Sequence, residues 1–512
     1  MTAPPFDHRT AGVLLHVSSL PHSIGCGDLG AAAHDWVATL ASARQTWWQT
    51  LPVGPTGQGD SPYDSESAFA GNPLFIDLQD LARAGLLTPA EARTPATRHT
   101  AAQYSAALRF KDPRLRLAAE RFARRRSRFR AAFEDFLETS SSWLPDYVLY
   151  RTLREAHGIP WMSWDPDLRD RRPRAMERAH RTLTDAVQYH TFLQFAFHRQ
   201  WTALRRTCAR HGVRLLGDVP MFVAHDSADV WAHRQLFFLD ETGERTVVAG
   251  VPPDAFSRSG QRWGNPLYRW PVLKRSGYRW WIERLQVTLT RFDAVRLDHF
   301  IGFRRYWEVP GHARTARAGR FVQVPGEHFL TTVRSTLGHL PFVAEDLGLM
   351  TPEVAALRDR FSLPGMRVLQ FAFDDGDDGK EYLPHRYPKH TLAYTGTHDN
   401  DTTVGWLRAR APRNDPRARA ALARRRARVK AYIGSADPDA CWSLIRVLMM
   451  SVANTTIVPL QDVLGLDSNA RMNVPGTPSG NWRWRLAPGQ ISVPLLERLG
   501  ELTEASERAL RR

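Results

Sequence analysis

One stretch limits the possible folds of this chain more than any other: Phe292-Asp293-Ala294-Val295-Arg296-Leu297-Asp298-His299-Phe300. Its apolar run predicts a buried β-strand that ends in charge. Alternation along a strand puts Phe292, Ala294, Arg296 and Asp298 on one face and points His299 away from Asp298. A buried arginine and carboxylate are costly unless paired or used. A core ion pair meets that condition, and so does a catalytic site. Catalytic groups at strand carboxyl ends are the pattern of a (β/α)8 barrel. The deciding question is whether the chain holds seven more strands and further carboxylates.

It does. Gly12 to Val17 predicts a first strand, with Asp28 placed to cap a helix through Ala31 to Ala43. Thr46 to Val53 predicts a second strand, and strand, helix and strand at this spacing read as a parallel βαβ unit. Val213 to Pro220 is the third strand and the opening stretch the fourth. Pro341 to Gly348, Met366 to Phe371, Thr391 to Asp399 and Thr455 to Asp462 complete eight. The fold class is therefore α/β, a (β/α)8 TIM barrel with large, mainly helical insertions at its carboxyl-terminal face. Residues 1–72 begin the barrel, 73–180 form the helical insertion, and 181–512 complete the barrel with a C-terminal segment packed on it. Within the insertion, Asp112-Pro113 predicts a helix start. Leu115, Ala118, Phe122, Phe129, Phe133 and Phe136 form its apolar stripe. Residues 250–268, rich in glycine and proline, read as a long irregular loop of the kind that serves as a lid.

Length fits this reading, since 512 residues exceed the roughly 250 of a bare barrel. The net charge of +16 is carried almost wholly by arginine; the lysines are Lys111, Lys274, Lys380, Lys389 and Lys430. So one-sided a usage is better explained by codon bias than by phosphate binding. The runs Arg124 to Arg128 and Arg424 to Arg428 read as solvated helix faces, because no nucleic-acid-binding motif accompanies them. Cys26, Cys208 and Cys441 offer no disulfide framework and no metal spacing. No apolar run approaches the roughly 20 residues of a membrane helix, and the N-terminus has no signal segment. A cytoplasmic monomer without nucleic-acid or membrane partners is expected.

Four carboxylates fall at strand carboxyl ends: Asp218, Asp298, Glu345 and Asp399. A barrel brings such ends to one pocket. Oxygen-rich clusters also suit Mg²⁺ or Ca²⁺, but Arg296 beside Asp298 argues for an oriented nucleophile over a metal. Glycoside hydrolysis needs two carboxyl groups in different protonation states. Asp298 and Asp399 as neighbours should raise the pKa of Glu345 and suit it to act as an acid. The loop aromatics Tyr63, Phe256, Trp263 and Tyr268 suit the flat faces of sugar rings.

These residues carry a resemblance. Ser19-Leu20-Pro21, Ser61-Pro62-Tyr63, Gly71-Asn72-Pro73, Asp226 to Trp231, Gly250 to Asp254, Gly260 to Tyr268, Ala344 to Gly348, Thr395 to Thr402 and Arg471 to Trp484 closely resemble the amylomaltases. These are 4-α-glucanotransferases of the clan that includes the α-amylases. The resemblance spans nearly the whole chain and is weakest over roughly 75 to 180. It implies that Asp298 is the nucleophile, Glu345 the general acid/base and Asp399 the third carboxylate, and that Arg296 orients the nucleophile. It further implies substrate contacts from Tyr63, Asp218 and His398, from Trp263, Gly264 and Asn265, and from Asn469. No cofactor or metal is implied. Gln58 and Ala255 stand where many members have tyrosine, and Cys26 replaces a common aliphatic residue.

The expected reaction moves an α-1,4-glucan segment to the 4-hydroxyl of an acceptor by retaining double displacement, with the two carboxyl groups about 5–5.5 Å apart. A hydrolase of the same clan is the alternative. A silent glucan-binding protein fits the intact carboxylates poorly. A phosphate-binding barrel lacks its glycine-rich loop after strands seven and eight.

Overall fold

The computed structural model describes residues 5–96, 99–124, 129–253, 258–348, 350–375, 378–434 and 440–510. Its strands, in chain order, are β1 (Thr10–Leu14), β2 (Trp47–Gln49), β3 (Arg214–Val219), β4 (Val247–Val251), β5 (Gln261–Pro266) and β6 (Ala294–Leu297), then β7 (Arg305–Pro310), β8 (Arg320–Gln323), β9 (Phe342–Ala344), β10 (Gly365–Val368), β11 (Thr391–Tyr394) and β12 (Thr455–Pro459). Eight of them form one parallel sheet in the order β10-β11-β12-β1-β2-β3-β6-β9. They are the eight strands read from the sequence, trimmed at their ends.

Closure of the barrel falls between β9 and β10. Ala344 N–H donates to the Pro364 carbonyl (2.9 Å), and Met366 N–H donates to Asp346 Oδ1 (2.7 Å). A Cβ on Gly365 would lie 2.4 Å from Asp346 Oδ2, so only glycine fits at this seam. Each barrel strand contributes one side chain to the inner cluster, and β11 two: Leu14, Trp47, Leu216, Ala294, Val343, Met366, Leu392 with Tyr394, and Ile457. A larger outer cluster joins the strands to the surrounding helices. Strands buried on both faces explain why their sequences run nearly continuously apolar.

Several local expectations are corrected. Phe292 does not share the inner face with Ala294 and Arg296. It is the residue that closes the helix Arg279–Arg291, before the ladder begins at Ala294, and it packs outward on Trp201. Asp28 does not cap the helix Ala31–Ser42, whose N-cap is Gly30; its carboxylate instead receives the buried Lys111 ammonium at 2.8 Å. Asp112-Pro113 does not start a helix. The helix Tyr104–Arg124 runs through Pro113, and Phe122, Phe133 and Phe136 gather on Phe195. The connection from β10 to β11 holds 3-10 turns and no α-helix among its described residues.

Residues 250–268 are not wholly irregular. Residues 250–251 and 261–266 belong to β4 and β5, a hairpin in a second, antiparallel sheet ordered β5-β4-β7-β8. Residues 254–257, with Ala255 and Phe256, lie outside the described residues, as do residues 125–128 of the first arginine run and the Gln58 side chain. In the second run, Arg424 pairs with Asp375 and Arg425 with Asp374, so that face is tied to the chain's own acids. Cys26, Cys208 and Cys441 are buried free thiols. The C-terminal helix Val493–Ala505 contacts the helices Ala31–Ser42 and Ala440–Met450. No helix among the described residues is long and apolar enough to cross a membrane.

Candidate active site

Strand register builds the centre of the site. Asp218 on β3 stands directly opposite Arg296 on β6, and Asp298 lies two residues further along the same inner face. One guanidinium therefore serves two carboxylates. Arg296 Nη1 donates to both oxygens of Asp218 (2.9 and 2.8 Å), and Nη2 pairs with Asp298 Oδ1 at 2.8 Å. Two acids around it hold the Arg296 pKa up against its burial. Burial pushes Asp218 up, and the guanidinium opposes that shift. Tyr63, from the loop after β2, donates its hydroxyl to Asp218 Oδ2 (2.7 Å). Its ring stacks on His398 with centroids 5.1 Å apart.

Glu345 follows β9 and is nearly buried. Its Oε2 accepts from the His299 backbone N–H (2.7 Å) and its Oε1 from that of Leu347 (3.1 Å). His299 reaches this pose in the left-handed region, at φ 50° and ψ 52°, which few non-glycine residues adopt. Burial is the main cause of a raised Glu345 pKa, about 8; Arg296 opposes it and Asp298 adds to it. The sequence-based expectation had the direction and one of its two charges: desolvation leads, Asp298 adds to it, and Asp399 is not among the leading charges.

Asp399 sits on the loop after β11. Its Oδ1 accepts from Asn473 Nδ2 (2.6 Å), and its Oδ2 lies 3.4 Å from His398 Nε2. Asp298 and Asp399 keep side-chain exposures of 28% and 45%, so both are open to a ligand while Arg296 and Asp218 are not. Burial lowers the His398 pKa, with Asp399 opposing.

On β5, the Trp263 indole is exposed and meets the His299 ring edge-on at 4.8 Å. Gly264 has φ +86°, and its carbonyl accepts from Arg245 (2.8 Å). Asn265 donates to the Val223 carbonyl (3.0 Å), anchoring the hairpin to the loop after β3. Tyr268 is fully buried with its hydroxyl on the Met221 carbonyl; it packs the core and offers no face to a sugar. Asn469 is exposed in the turn Ser468–Ala470, and its backbone N–H is held by Asp467.

Apart from Asn469, Gly264, Asn265, the core residue Tyr268 and Phe256, which lies outside the described residues, the residues expected at the site form one linked cluster. Sequence reasoning missed His299, Arg471, Asn473 and Trp482. Trp482 lies 5.8 Å from the Tyr63 ring and 5.9 Å from that of His398. The last three fall in the Arg471 to Trp484 stretch singled out by resemblance, but no strand position marked them. Among the described residues, no three His, Cys, Asp or Glu side chains are placed to hold a metal ion.

A family model described as 4-alpha-glucanotransferase matches residues 15–491. The 4-alpha-glucanotransferase of Thermus thermophilus is 49% identical over 510 residues, covering 98% of this chain and 99% of its own. That of Synechocystis sp. is 45% identical, covering 97% and 98%. Among solved structures, an amylomaltase from Streptococcus agalactiae in complex with acarbose superposes with a TM-score of 0.91 at 33% identity, over 98% of this chain and all of that one. Matched end to end in sequence and in fold, the chain belongs to the 4-alpha-glucanotransferase family.

Proposed function

We propose that this 4-alpha-glucanotransferase works by retaining double displacement, with Asp298 as nucleophile and Glu345 as acid/base. Protonated Glu345 gives its proton to the leaving oxygen of an α-1,4 bond while Asp298 attacks the anomeric carbon. The released glucan departs with a free 4-hydroxyl. Glu345, now a carboxylate, takes the proton from the 4-hydroxyl of the acceptor, whose oxygen displaces Asp298 and remakes an α-1,4 bond. Asp399 binds the distorted sugar through its ring hydroxyls. Tyr63 and His398 line the same subsite, Asp218 supports it from behind through Tyr63 and Arg296, and Trp263 on its hairpin covers the acceptor side. Gly264, Asn265 and Asn469 are assigned lesser contacts along the glucan.

The observation that carries this reading is the difference between two carboxyl environments around Arg296. The guanidinium pairs with Asp298, whereas Glu345 has no ion pair among the described residues and is buried, and burial raises its pKa. An acid and a nucleophile need that difference. The similar amylomaltase is in complex with acarbose, which supports a glucan in the corresponding cleft.

Incubation with maltotriose tests the reaction. Transfer gives glucose and longer oligosaccharides without a rise in reducing ends; hydrolysis raises them and would favour the alternative. Asp298→Asn should lower transfer by about a thousandfold or more, and wild-type turnover in that variant would sink the nucleophile assignment. Removal of divalent ions with a chelator should leave turnover unchanged. The protein is further proposed to act as a cytoplasmic monomer, which light scattering and fractionation would test.

A further inference from the structure

Beyond the barrel, the chain turns back to the active site. β12 ends at Pro459, and after the turn Ser468–Ala470 the segment 471–473 runs alongside His398 and Asp399. Arg471 Nη2 donates to the Asp399 main-chain carbonyl (2.6 Å) and Nε to that of Asn473 (2.7 Å). Asn473 N–H donates to the His398 carbonyl (3.1 Å), and Asn473 Nδ2 donates to Asp399 Oδ1 (2.6 Å). The segment is itself fixed from behind. Trp482 N–H donates to the Met472 carbonyl (2.6 Å), and both side chains are buried in the inner barrel cluster.

We propose that Asn473 is a positioning residue for the third carboxylate, holding Asp399 in one rotamer for the reacting sugar. An amide NH2 can only donate, so it favours a carboxylate oxygen over a protonated one. The reverse orientation would set the amide oxygen against Asp399 and require a proton between them. With Oδ1 occupied by Asn473, Oδ2 beside His398 is the atom left for sugar hydroxyls. Holding a carboxylate half exposed to solvent in one pose is what a group that binds only a distorted sugar needs. The inference rests on the proposed role of Asp399. The charged and titratable groups around Asp399 are His398 on its own loop, Arg471 on its main-chain carbonyl and Tyr63 from the loop after β2, while Arg296 and Asp298 of β6 act on the neighbouring Tyr63 and His398.

Three variants test it: Asn473→Asp, Asn473→Ala and Asp399→Asn, each checked for a native circular dichroism spectrum and melting curve. Asn473→Asp keeps the side-chain shape and replaces the donor with a second carboxylate. Two carboxylates at hydrogen-bond distance share a proton, so the acid limb of its kcat/KM profile should move up by about one pH unit or more. Asn473→Ala should lower kcat by about 10- to 100-fold, the scale of an ångström-level misplacement, with less change in KM. A purely structural role would not move the pH profile. An Asn473→Asp profile that superimposes on wild type, with Asn473→Ala kcat within about twofold, overturns the proposal. If Asp399→Asn keeps full transfer, it is the reading of Asp399 that fails, whatever the Asn473 variants do.

Discussion

Arg296 touches two acids, and the two contacts have different consequences. Its bidentate grip on Asp218 is internal to the barrel, while its single bond to Asp298 ends at the open cleft. A lysine is a point charge on a flexible stem and cannot hold both geometries. Arg296→Lys should therefore fold, since β6 is anchored by its neighbours, but lose about 100-fold in kcat on maltotriose. Glu345 supplies a second prediction. In the proposed mechanism its proton is the one donated, and burial raises its pKa to about 8. The active form thus exists below that pH and disappears as pH rises through it. The alkaline limb of kcat/KM in free enzyme should fall near 8, and Glu345→Gln should abolish transfer across the whole range. At this scale the sequence was legible where a period of two sufficed, as for Arg296 and Asp298. Asp218 could be named as a strand end but not as the partner of Arg296, because that depends on the register between two strands. The left-handed backbone of His299 was invisible: alternation holds only as far as the strand, which ends at Leu297, and said nothing about the His299 N–H.

At the scale of elements, two misread segments show which local signals lose to tertiary ones. Residues 250–268 carry the composition of a loop, yet β4 pairs with β5 and with β7 from a later connection. A pairing partner so distant leaves no local trace. The hairpin carries Trp263 over His299, and an aromatic face of this kind is worth about 0.5–1.5 kcal/mol. Trp263→Ala should raise KM for maltotriose by about 2- to 12-fold, with a smaller effect on kcat. Pro113 misled in the opposite sense. A proline in a helix interior costs about 3 kcal/mol, and the helix Tyr104–Arg124 runs through it because its buried face is held elsewhere. Lys111 is fully buried and donates to Asp28 Oδ2 (2.8 Å) and to the Leu74 and Ile76 carbonyls (both 2.7 Å). Lys111→Met would leave the buried Asp28 without its main partner. We expect it to lower unfolding free energy by about 3–5 kcal/mol in a denaturant titration.

For the whole molecule, the two ends of the barrel do different work, and the chain closes the one opposite the active site with its last residues. Arg508 is fully buried, and it donates to the carbonyls of Met449, Thr10, Asn454, Ser451 and Ala453 at 2.7–3.2 Å. Arg9 donates to those of Ser506, Ser451 and Met449. Thr10 opens β1 and Asn454 precedes β12, so this cluster lies at the amino-terminal ends of the strands, where residues serve stability. Met449 and Ser451 mark the end of the helix Ala440–Met450, where carbonyls lack helical partners and cations are favoured. None of this could be read from a terminal Arg-rich segment, which by composition looks solvated. The end proposed as catalytic was legible because carboxylates at strand ends announce themselves in the sequence. The opposite end is built from backbone carbonyls, which every residue has. Arg508→Met should therefore cost about 2–4 kcal/mol in unfolding free energy, the scale of several charged hydrogen bonds lost from a buried site. Because no catalytic side chain touches the cluster, kcat and KM of the folded enzyme at 25 °C should match wild type. A variant of normal stability would show that solvent reaches these carbonyls, and a fall in kcat without a fall in stability would show that the two ends of the barrel are coupled.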